Sequence, residues 1–188
     1  MKKKIIAIAL IVICASLAAY GTLSYFTYDE TATNVITAGN IKIELQELSR
    51  QPDGTLVQFE NISDAMPATD YSKIAQVKNS GKGTAWLKVT VAKSITLAEG
   101  VEGEPDVSLL GLDINTEFWT EQDGYYYYTK PLQPGATTEP LFTTVSFSAD
   151  MSNIYQHSSC EITITAYAVQ AANNGKTVFE AAGWEPQE

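Results

Sequence analysis

The sequence predicts an antiparallel β-sandwich that ends in a short helix. Apolar and polar residues alternate along several segments rich in Val, Ile, Thr and aromatic residues, as strands with one buried face require. Gly, Pro, Asn and Asp bound these segments, as turns require. At 45% hydrophobic and 18% charged over 188 residues, the chain is too apolar to be disordered and long enough to bury a sizeable core.

Seven predicted strands are distributed along the chain from residue 40 onward. In the first of them Ile41, Ile43 and Leu45 alternate with polar neighbours, which is the period of a half-buried strand. A further short apolar piece, 55–59, follows the Pro-Asp-Gly turn at 52–54. The predicted strands are 40–48, 74–78, 84–91, 114–120, 125–129, 141–148 and 160–170.

Turn residues indicate how these strands are joined. Asp123 and Gly124 separate two predicted strands as a hairpin would, which favours antiparallel pairing. The Asn-Ser-Gly-Lys-Gly run at 79–83 separates two others. Residues 99–106 hold four acidic residues among two Gly and one Pro, so we expect a solvated loop there.

Helical periodicity is convincing only near the C-terminus. Thr177 is placed to cap a short helix in which Val178, Ala181 and Ala182 share one side. No linker rich in Pro, Gly or Ser divides the chain before it. Residues 25–188 are therefore predicted to form a single β-sandwich domain.

Residues 1–24 have the pattern of a signal peptide. Lysines at 2–4 precede the apolar run 5–19. That run has 15 residues, fewer than the about 20 that a helix needs to cross a membrane, so a permanent anchor is only the alternative. Thr22 and Ser24 are small residues placed for signal peptidase, which predicts a mature chain beginning at Tyr25. A cut a few residues earlier is the other alternative.

The charge balance argues against nucleic acid as a partner. With 12 basic and 22 acidic residues the chain carries a formal charge of −10, whereas phosphate backbones are bound through Lys and Arg. Removing residues 1–24 takes away three basic and no acidic residues, which leaves 9 basic against 22 acidic residues and a charge of −13. We expect contact with the membrane only through the signal peptide, before its cleavage.

Two small sets of residues have spacings that metal sites use. His157 and Cys160 are three residues apart, which would bring an imidazole to a thiolate or both to a metal. The chain has no other histidine, so a loop histidine and a core-facing cysteine are the simpler interpretation. Asp113, Asn115 and Glu117 alternate like calcium ligands, but the sixth-position glycine of an EF-hand is missing. The outward face of a strand explains them more simply.

The fifth predicted strand contains a run of four tyrosines. Alternate rings would project from both faces of a sheet, so the run offers either a stacking surface for a carbohydrate or aromatic ligand, or cross-strand pairs within the sheet. A contact surface of this kind would consist of Tyr125, Tyr126, Tyr127 and Tyr128. Glycine-rich phosphate loops, serine nucleophile motifs and zinc-protease helices are absent from the sequence. We therefore predict no enzymatic activity, no catalytic residues, no cofactor and no metal.

Short segments along nearly the whole chain share one resemblance. Near the N-terminus they are Gly-Thr-Leu-Ser-Tyr-Phe at 21–26 and Thr-Asn-Val-Ile-Thr-Ala-Gly-Asn-Ile-Lys-Ile at 33–43. Later segments are 77–81, 123–128, 132–135 and 162–171. Together they resemble the exported TasA and camelysin family of Gram-positive bacteria, whose signal peptides are removed by a dedicated SipW-type signal peptidase. Loops 49–72 and 95–112 carry no recognisable family residues.

The resemblance implies a secreted, extracellular β-sandwich of jelly-roll type that forms fibres of a biofilm matrix. It also implies processing by the SipW-type signal peptidase, and self-association, or association with a related secreted subunit, through an N-terminal strand lent to a neighbour. Camelysin itself is described as a surface metalloprotease. A chain with one histidine and no His-Glu-x-x-His motif departs from that activity, which makes a protease the third and most distant alternative.

Segment 25–38 is the predicted assembly strand. Phe26, Tyr28, Val35 and Ile36 have high strand propensity. The alternative is that this segment is the first strand of its own sandwich. A second class of function is also open, namely a monomeric cell-surface adhesive or ligand-binding module that uses the tyrosine run and the acidic loop as contact surfaces.

Overall fold

A computed structural model describes residues 27–28, 33–37, 41–62 and 65–184, with Val35 the one side chain described in the first two ranges. Eleven strands and three short 3₁₀ helices lie in these ranges. The strands are β1 (Thr27–Tyr28), β2 (Thr33–Thr37), β3 (Ile43–Arg50), β4 (Leu56–Gln58), β5 (Thr69–Asn79), β6 (Ala85–Thr96), β7 (Leu110–Leu112), β8 (Trp119–Gln122), β9 (Tyr125–Tyr128), β10 (Phe142–Phe147) and β11 (Ser159–Gln170).

These strands form two sheets. The first sheet has the order β1-β11-β6-β9-β8, with β2 also paired to β11. The second sheet has the order β4-β3-β5-β10-β7. All pairings among the described strands are antiparallel except those of β1 and β2 with β11, which are parallel. The predicted all-β sandwich is confirmed, and the jelly-roll connectivity stays a prediction.

Most of the alternating segments form strands where they were predicted, because one face of each is buried. In β11 the side chains of Cys160, Ile162 and Ile164 are fully buried, and the residues between them are half-exposed. The inward faces of both sheets meet in a common core. Its largest fully buried apolar side chains are Trp119, Phe142, Phe147, Leu87, Leu110, Leu141, Ile162, Ile164 and Val77.

The turn at 79–83 crosses from the second sheet to the first and does not form a hairpin. The buried amide of Asn79 stabilises this crossover, since its Nδ2 donates to the carbonyls of Gly83 at 2.8 Å and Leu132 at 3.0 Å. Its Oδ1 accepts from the Gly81 N–H at 2.9 Å. A Cβ at Gly81 would lie 2.7 Å from the backbone nitrogen of Lys42, so only glycine fits there without a shift.

The predicted strand 114–120 is wrong over residues 114–118. The chain turns there, because the backbone N–H of Trp119 donates to the carbonyl of Asn115 at 3.1 Å, and the strand begins only at Trp119. The polar alternation that suggested an outward strand face has another cause. Asn115 Nδ2 donates to the Pro140 carbonyl at 3.1 Å, and Asp113 Oδ1 accepts from the backbone N–H groups of Thr143 and Thr144 at 2.8 and 2.7 Å.

Other predicted elements are confirmed with small changes. Asp123 and Gly124, both with positive φ, turn β8 into β9 as an antiparallel hairpin. Residues 99–106 are all exposed, as expected of the acidic loop. The short C-terminal helix is the 3₁₀ helix Val178–Glu180, where Thr177 precedes the first residue but makes no side-chain capping bond. Strand β7 lies where a loop was expected.

Candidate functional site

The N-terminal strands lie along one edge of the first sheet. Strand β1 pairs in parallel with the start of β11, with Thr27 opposite Ser159 and Tyr28 opposite Cys160. Strand β2 continues along the same edge, with Thr33 to Thr37 opposite Ile164 to Ala168. The predicted assembly segment is therefore extended and edge-bound in the described part, which places its own chain's β11 beside it.

The strand that β1 and β2 cover, β11, is long, and the outermost strands at the other sheet edges are short. Across the described strands the opposite edge of the first sheet is β8, with 4 residues. The edges of the second sheet are β4 and β7, with 3 residues each. In contrast β11 has 12 residues. Very short edge strands limit unwanted pairing, whereas a long one presents many unpaired backbone groups unless it is covered. The N-terminal strands supply that cover.

Strand β11 does not depend on the N-terminal strands for its own place in the sheet. It pairs with β6 in antiparallel register from Ser159 opposite Thr96 to Gln170 opposite Ala85. Its inward side chains, Cys160 to Ala168 at every second position, are at most 3% exposed. Strand β11 is therefore held by inward packing and by β6 along its whole length, in addition to its contacts with β1 and β2.

The predicted assembly and cleavage residues are only partly described. Tyr28 lies in β1, and Val35 and Ile36 lie in β2. Val35 is 40% exposed and stands opposite the fully buried Ala166, so it covers the sheet edge without being enclosed. Phe26 and the predicted cleavage residues lie outside the described residues; the latter are Thr22, Ser24 and Tyr25.

The cysteine of β11 is part of the core. Cys160 is fully buried, and burial raises the pKa of its thiol to about 12. A thiol with that pKa holds almost no thiolate at neutral pH. His157 lies three residues away in an exposed turn with a φ of 61°. The two side chains are therefore a loop histidine and a core-facing cysteine, as the simpler interpretation predicted.

The tyrosine run forms β9, and its rings alternate between the two faces. Tyr126 packs against the core and Tyr128 is 4% exposed within it. Tyr128 packs on Trp119 with ring centroids 5.0 Å apart, and its hydroxyl donates to the Glu139 carboxylate. Half of the predicted contact surface therefore faces inward, because the pleat of a strand directs every second side chain to the core.

Tyr125 and Tyr127 face outward, and the Tyr125 ring lies against a lysine. The Lys88 ammonium lies 3.8 Å from the ring centroid of Tyr125, 5.4 Å from that of Tyr167 and 5.0 Å from that of Trp184. Lys88 is only 7% exposed. Rings at these distances attract a cation through their negative faces. The outward tyrosines are thus engaged in cross-strand and cation–π contacts within the chain.

The C-terminal segment covers part of this outer face. Val178 is 1% exposed and packs with Trp86 and Val169 in a small second cluster. The rings of Phe179 and Trp184 lie 5.1 and 6.3 Å from that of Tyr127. Asn174 anchors the segment, and its Oδ1 accepts from Ala182 N at 2.9 Å. The part of the outer face that remains accessible to a ligand is a rim of half-exposed aromatic rings, Tyr125, Tyr127 and Tyr167.

Nothing in the described ranges brings three His, Cys, Asp or Glu side chains together as a metal site would. Asp113 is exposed but its carboxylate is used within the chain, where Oδ2 accepts from the Thr143 hydroxyl at 2.5 Å. The predicted calcium-like alternation therefore serves to hold the start of β10. Within the same ranges no helix is long and apolar enough to span a membrane, and the apolar run 5–19 lies outside them.

Sequence analysis missed one feature of the second sheet. Lys73 and Glu47 lie inside the core and form an ion pair of 2.6 Å. The signal was the position of Lys73, which continues the inward alternation of Ala75 and Val77. A predicted strand that began at residue 74 left it out.

The fold and the site together define an all-β sandwich in which the N-terminal strands β1 and β2 pair with one side of β11. Comparison with known proteins adds no closer assignment: no protein family, curated protein or solved structure matches this chain.

Proposed function

We propose that this protein is a secreted structural subunit of extracellular biofilm-matrix fibres. Each subunit would lend segment 25–38 to the β11 edge of a neighbour, and the fibre would be held without covalent links between subunits. The observation that carries the proposal is the long β11 edge, covered by the parallel strands β1 and β2. The sequence pattern of a signal peptide and the family resemblance support the extracellular location.

Replacing a chain's own N-terminal segment with that of a neighbour should cost little free energy at this edge. A neighbour's segment can make the same pairing that β2 makes with β11, from Thr33 opposite Ile164 to Thr37 opposite Ala168. The backbone hydrogen bonds are then conserved, so the exchange costs little apart from the entropy of association. Because the donating segment and the accepting edge are different surfaces, the contact is head-to-tail, and it repeats into an open polymer where the rotation between subunits closes no ring. Open-ended polymers are the expected product.

Buried Cys160 supports non-covalent assembly. It is the free cysteine among the described residues and has no exposed thiol surface. Cys14 lies in the segment that export is expected to remove. Subunits would therefore join through backbone pairing, which needs no oxidant.

Disulfide trapping tests whether the segment is lent or kept. Asn34 and Thr165 are register partners in β2 and β11, within the about 4.4–6.8 Å between Cα atoms that a disulfide spans. We expect a chain beginning at Tyr25 with Asn34→Cys, Thr165→Cys and Cys160→Ser to polymerise and, on oxidation, to give a ladder of linked subunits on a non-reducing denaturing gel.

The single-cysteine variants Asn34→Cys and Thr165→Cys are the matched controls, and at most they form dimers. A double variant that polymerises but yields only internally bridged monomers would show that each chain keeps its own segment. That result would defeat strand donation.

A monomeric adhesive or ligand-binding module is the second candidate function. The half-exposed rings of Tyr125, Tyr127 and Tyr167 on the outer face favour it, since aromatic rims bind sugars and other flat ligands. For this function, Tyr127→Ala should abolish binding to cell-wall polysaccharide and leave polymer formation unchanged. For the fibre subunit, the same change should leave both polymer length and yield unchanged, and no polysaccharide binding should be measurable in the wild type.

A further inference from the structure

A lysine and a glutamate share the interior of the second sheet. Glu47 in β3 stands opposite Ala75 in β5, and Lys73 lies two residues from Ala75 on the same inward face. Lys73 Nζ is 2.6 Å from Glu47 Oε1. Lys73 is fully buried and Glu47 is 7% exposed. The amine and the carboxyl are thus adjacent and shielded from bulk water.

Phe59 closes the site. Its ring centroid lies 3.8 Å from Lys73 Nζ, and its backbone N–H donates to the Glu47 carbonyl at 2.9 Å. Phe59 is itself 7% exposed. The ring is therefore fixed over the pair. A water molecule formed by a reaction of the two groups would leave this apolar site for bulk water, and the apolar surroundings would not favour its return.

Two full charges in such a place are costly. Removing a charged pair from water is unfavourable, and the mutual attraction of the two charges only partly offsets that cost. One proton passed from nitrogen to oxygen within this contact would give a neutral amine beside a neutral acid. An amine and an acid condense to an amide in these neutral forms. Because the fold holds the two groups in contact, each has a high effective concentration relative to the other, as in other intramolecular reactions.

We propose that Lys73 and Glu47 form an intramolecular isopeptide bond. The Nζ lone pair attacks Glu47 Cδ, the Nζ–Cδ bond forms and the bond from Cδ to the hydroxyl oxygen breaks. The leaving hydroxyl takes one proton from the nitrogen and departs as water. No electrons are gained or lost overall, so no oxidant or other reactant is required. The product is a neutral secondary amide between β3 and β5.

Such a bond would act as a staple in an exported chain whose described cysteine is unpaired. It would join strands whose sequence positions are far apart, and so restrict the unfolded chain in the way that a disulfide does. Because it lies in the second sheet, it is independent of the β11 edge and of any role of the protein in assembly.

Mass spectrometry of the purified full chain tests the proposal. We expect the wild type to be lighter than its sequence by the mass of one water molecule. Digestion should release a branched peptide in which Lys73 is joined to Glu47, and trypsin should fail to cut after Lys73. Lys73→Arg is the matched control, since guanidinium keeps the positive charge but does not condense; this variant should have its full sequence mass.

Detection of the branched peptide in the wild-type digest is sufficient to test the proposal. The test therefore does not depend on whether the Lys73→Arg variant folds. Recovery of Lys73 and Glu47 only in linear peptides, from folded protein stored for several days, would overturn the proposal. Loss of ammonia in place of water would place the bond on an amide side chain and would overturn it too. A water loss that persists in Lys73→Arg would trace to another site, with the same consequence.

Discussion

Tyr128 shows how one residue connects an exposed carboxylate to the core. Its hydroxyl donates to Glu139, and Trp119 Nε1 donates to the Glu139 carbonyl at 3.1 Å. The hydrogen bond from Tyr128 holds the pKa of Glu139 below its usual value. Burial raises the pKa of Tyr128 to about 12, and the hydrogen bond with Glu139 adds to that shift. The two residues therefore stabilise each other's neutral-pH form.

We expect Tyr128→Phe to destabilise the protein by about 1 kcal/mol at neutral pH, because a hydrogen bond to a charged but half-exposed acceptor is lost. Since the folded state lowers the pKa of Glu139, this stabilisation is present above the ordinary glutamate pKa of 4.5 and is lost as the pH falls through the folded pKa. Urea denaturation at neutral and acidic pH measures it. Glu139→Gln is the control; equal losses for Tyr128→Phe at both pH values would contradict the assignment.

Cys160 is predicted to act as a small apolar residue and not as a link. Cys160→Ser should leave polymer formation unchanged, while the hydroxyl buried in an apolar site should cost roughly 1–3 kcal/mol of stability. Cys160→Ala is the control without a polar atom. Non-reducing gels and light scattering measure the first effect, and thermal unfolding measures the second. Polymers that disappear on reduction would refute a purely non-covalent fibre.

The raised pKa of the Cys160 thiol predicts that the folded protein loses stability at alkaline pH. Its folded pKa is raised from 9.0 to about 12 by burial, so the stability it contributes is complete below pH 9.0 and is lost as the pH rises toward about 12. Denaturant midpoints over this range should fall less steeply for Cys160→Ala than for the wild type. Parallel slopes would mean that the thiol is not protected from ionisation.

At the scale of the element, β11 is a strand with two different neighbours. On one side it is joined to β6 along its whole length, and on the other side it meets β1 and β2. The first neighbour is antiparallel and belongs to the core of the sheet. The second is short, parallel and outermost, which is what an exchangeable element requires.

Deletion of residues 25–38 should give a folded protein that does not polymerise. Strand β11 keeps its pairing with β6 and its buried inward face, so only the edge is exposed. Far-UV circular dichroism and light scattering measure the two properties. The segment supplied as a peptide should then bind the open edge and block growth of the wild-type polymer.

A scrambled peptide of the same composition is the control for that blocking effect. Unfolding of the deletion variant would mean that the segment is an integral strand of its own sandwich. Normal polymerisation without it would place the subunit contact elsewhere on the surface.

At the scale of the whole molecule, the proposed export would make the chain more acidic. Loss of residues 1–24 changes the formal charge from −10 to −13, since three lysines and no acidic residues are removed. Like charges on every subunit oppose unselective clustering, which leaves assembly to a directional contact such as an added strand. The two edges of the second sheet are short enough not to compete with it.

The mature protein is predicted to begin at Tyr25. Thr22 and Ser24 are the small residues best placed after the apolar run, and the cut frees the assembly segment at the new N-terminus. Intact-mass analysis of secreted material measures this directly, with Ser24→Leu as a variant that signal peptidase should cut poorly. A secreted form that retains Cys14 would disprove both the cleavage site and the soluble, secreted state.

Local sequence predicted the elements because burial of one strand face leaves a pattern of period two. Residues 125–129 and 160–170 were placed within one residue of β9 and β11 for this reason. The same pattern gave a wrong prediction at residues 114–118. The polar side chains of Asp113 and Asn115 bond backbone groups near the start of β10. Polar residues that hold a loop in this way alternate with apolar ones just as they do on the outer face of a strand.

The sequence by itself determined that this protein is a two-faced β structure with an acidic surface and an extended N-terminal segment, since these properties depend on neighbouring residues and on composition. Only the tertiary structure decided which edge that segment covers, which tyrosines face the core and that Lys73 meets Glu47. Those outcomes depend on pairings between residues far apart in the chain, such as β2 with β11. Local alternation does not encode the order of strands in a sheet, because any amphipathic strand can pair with any other.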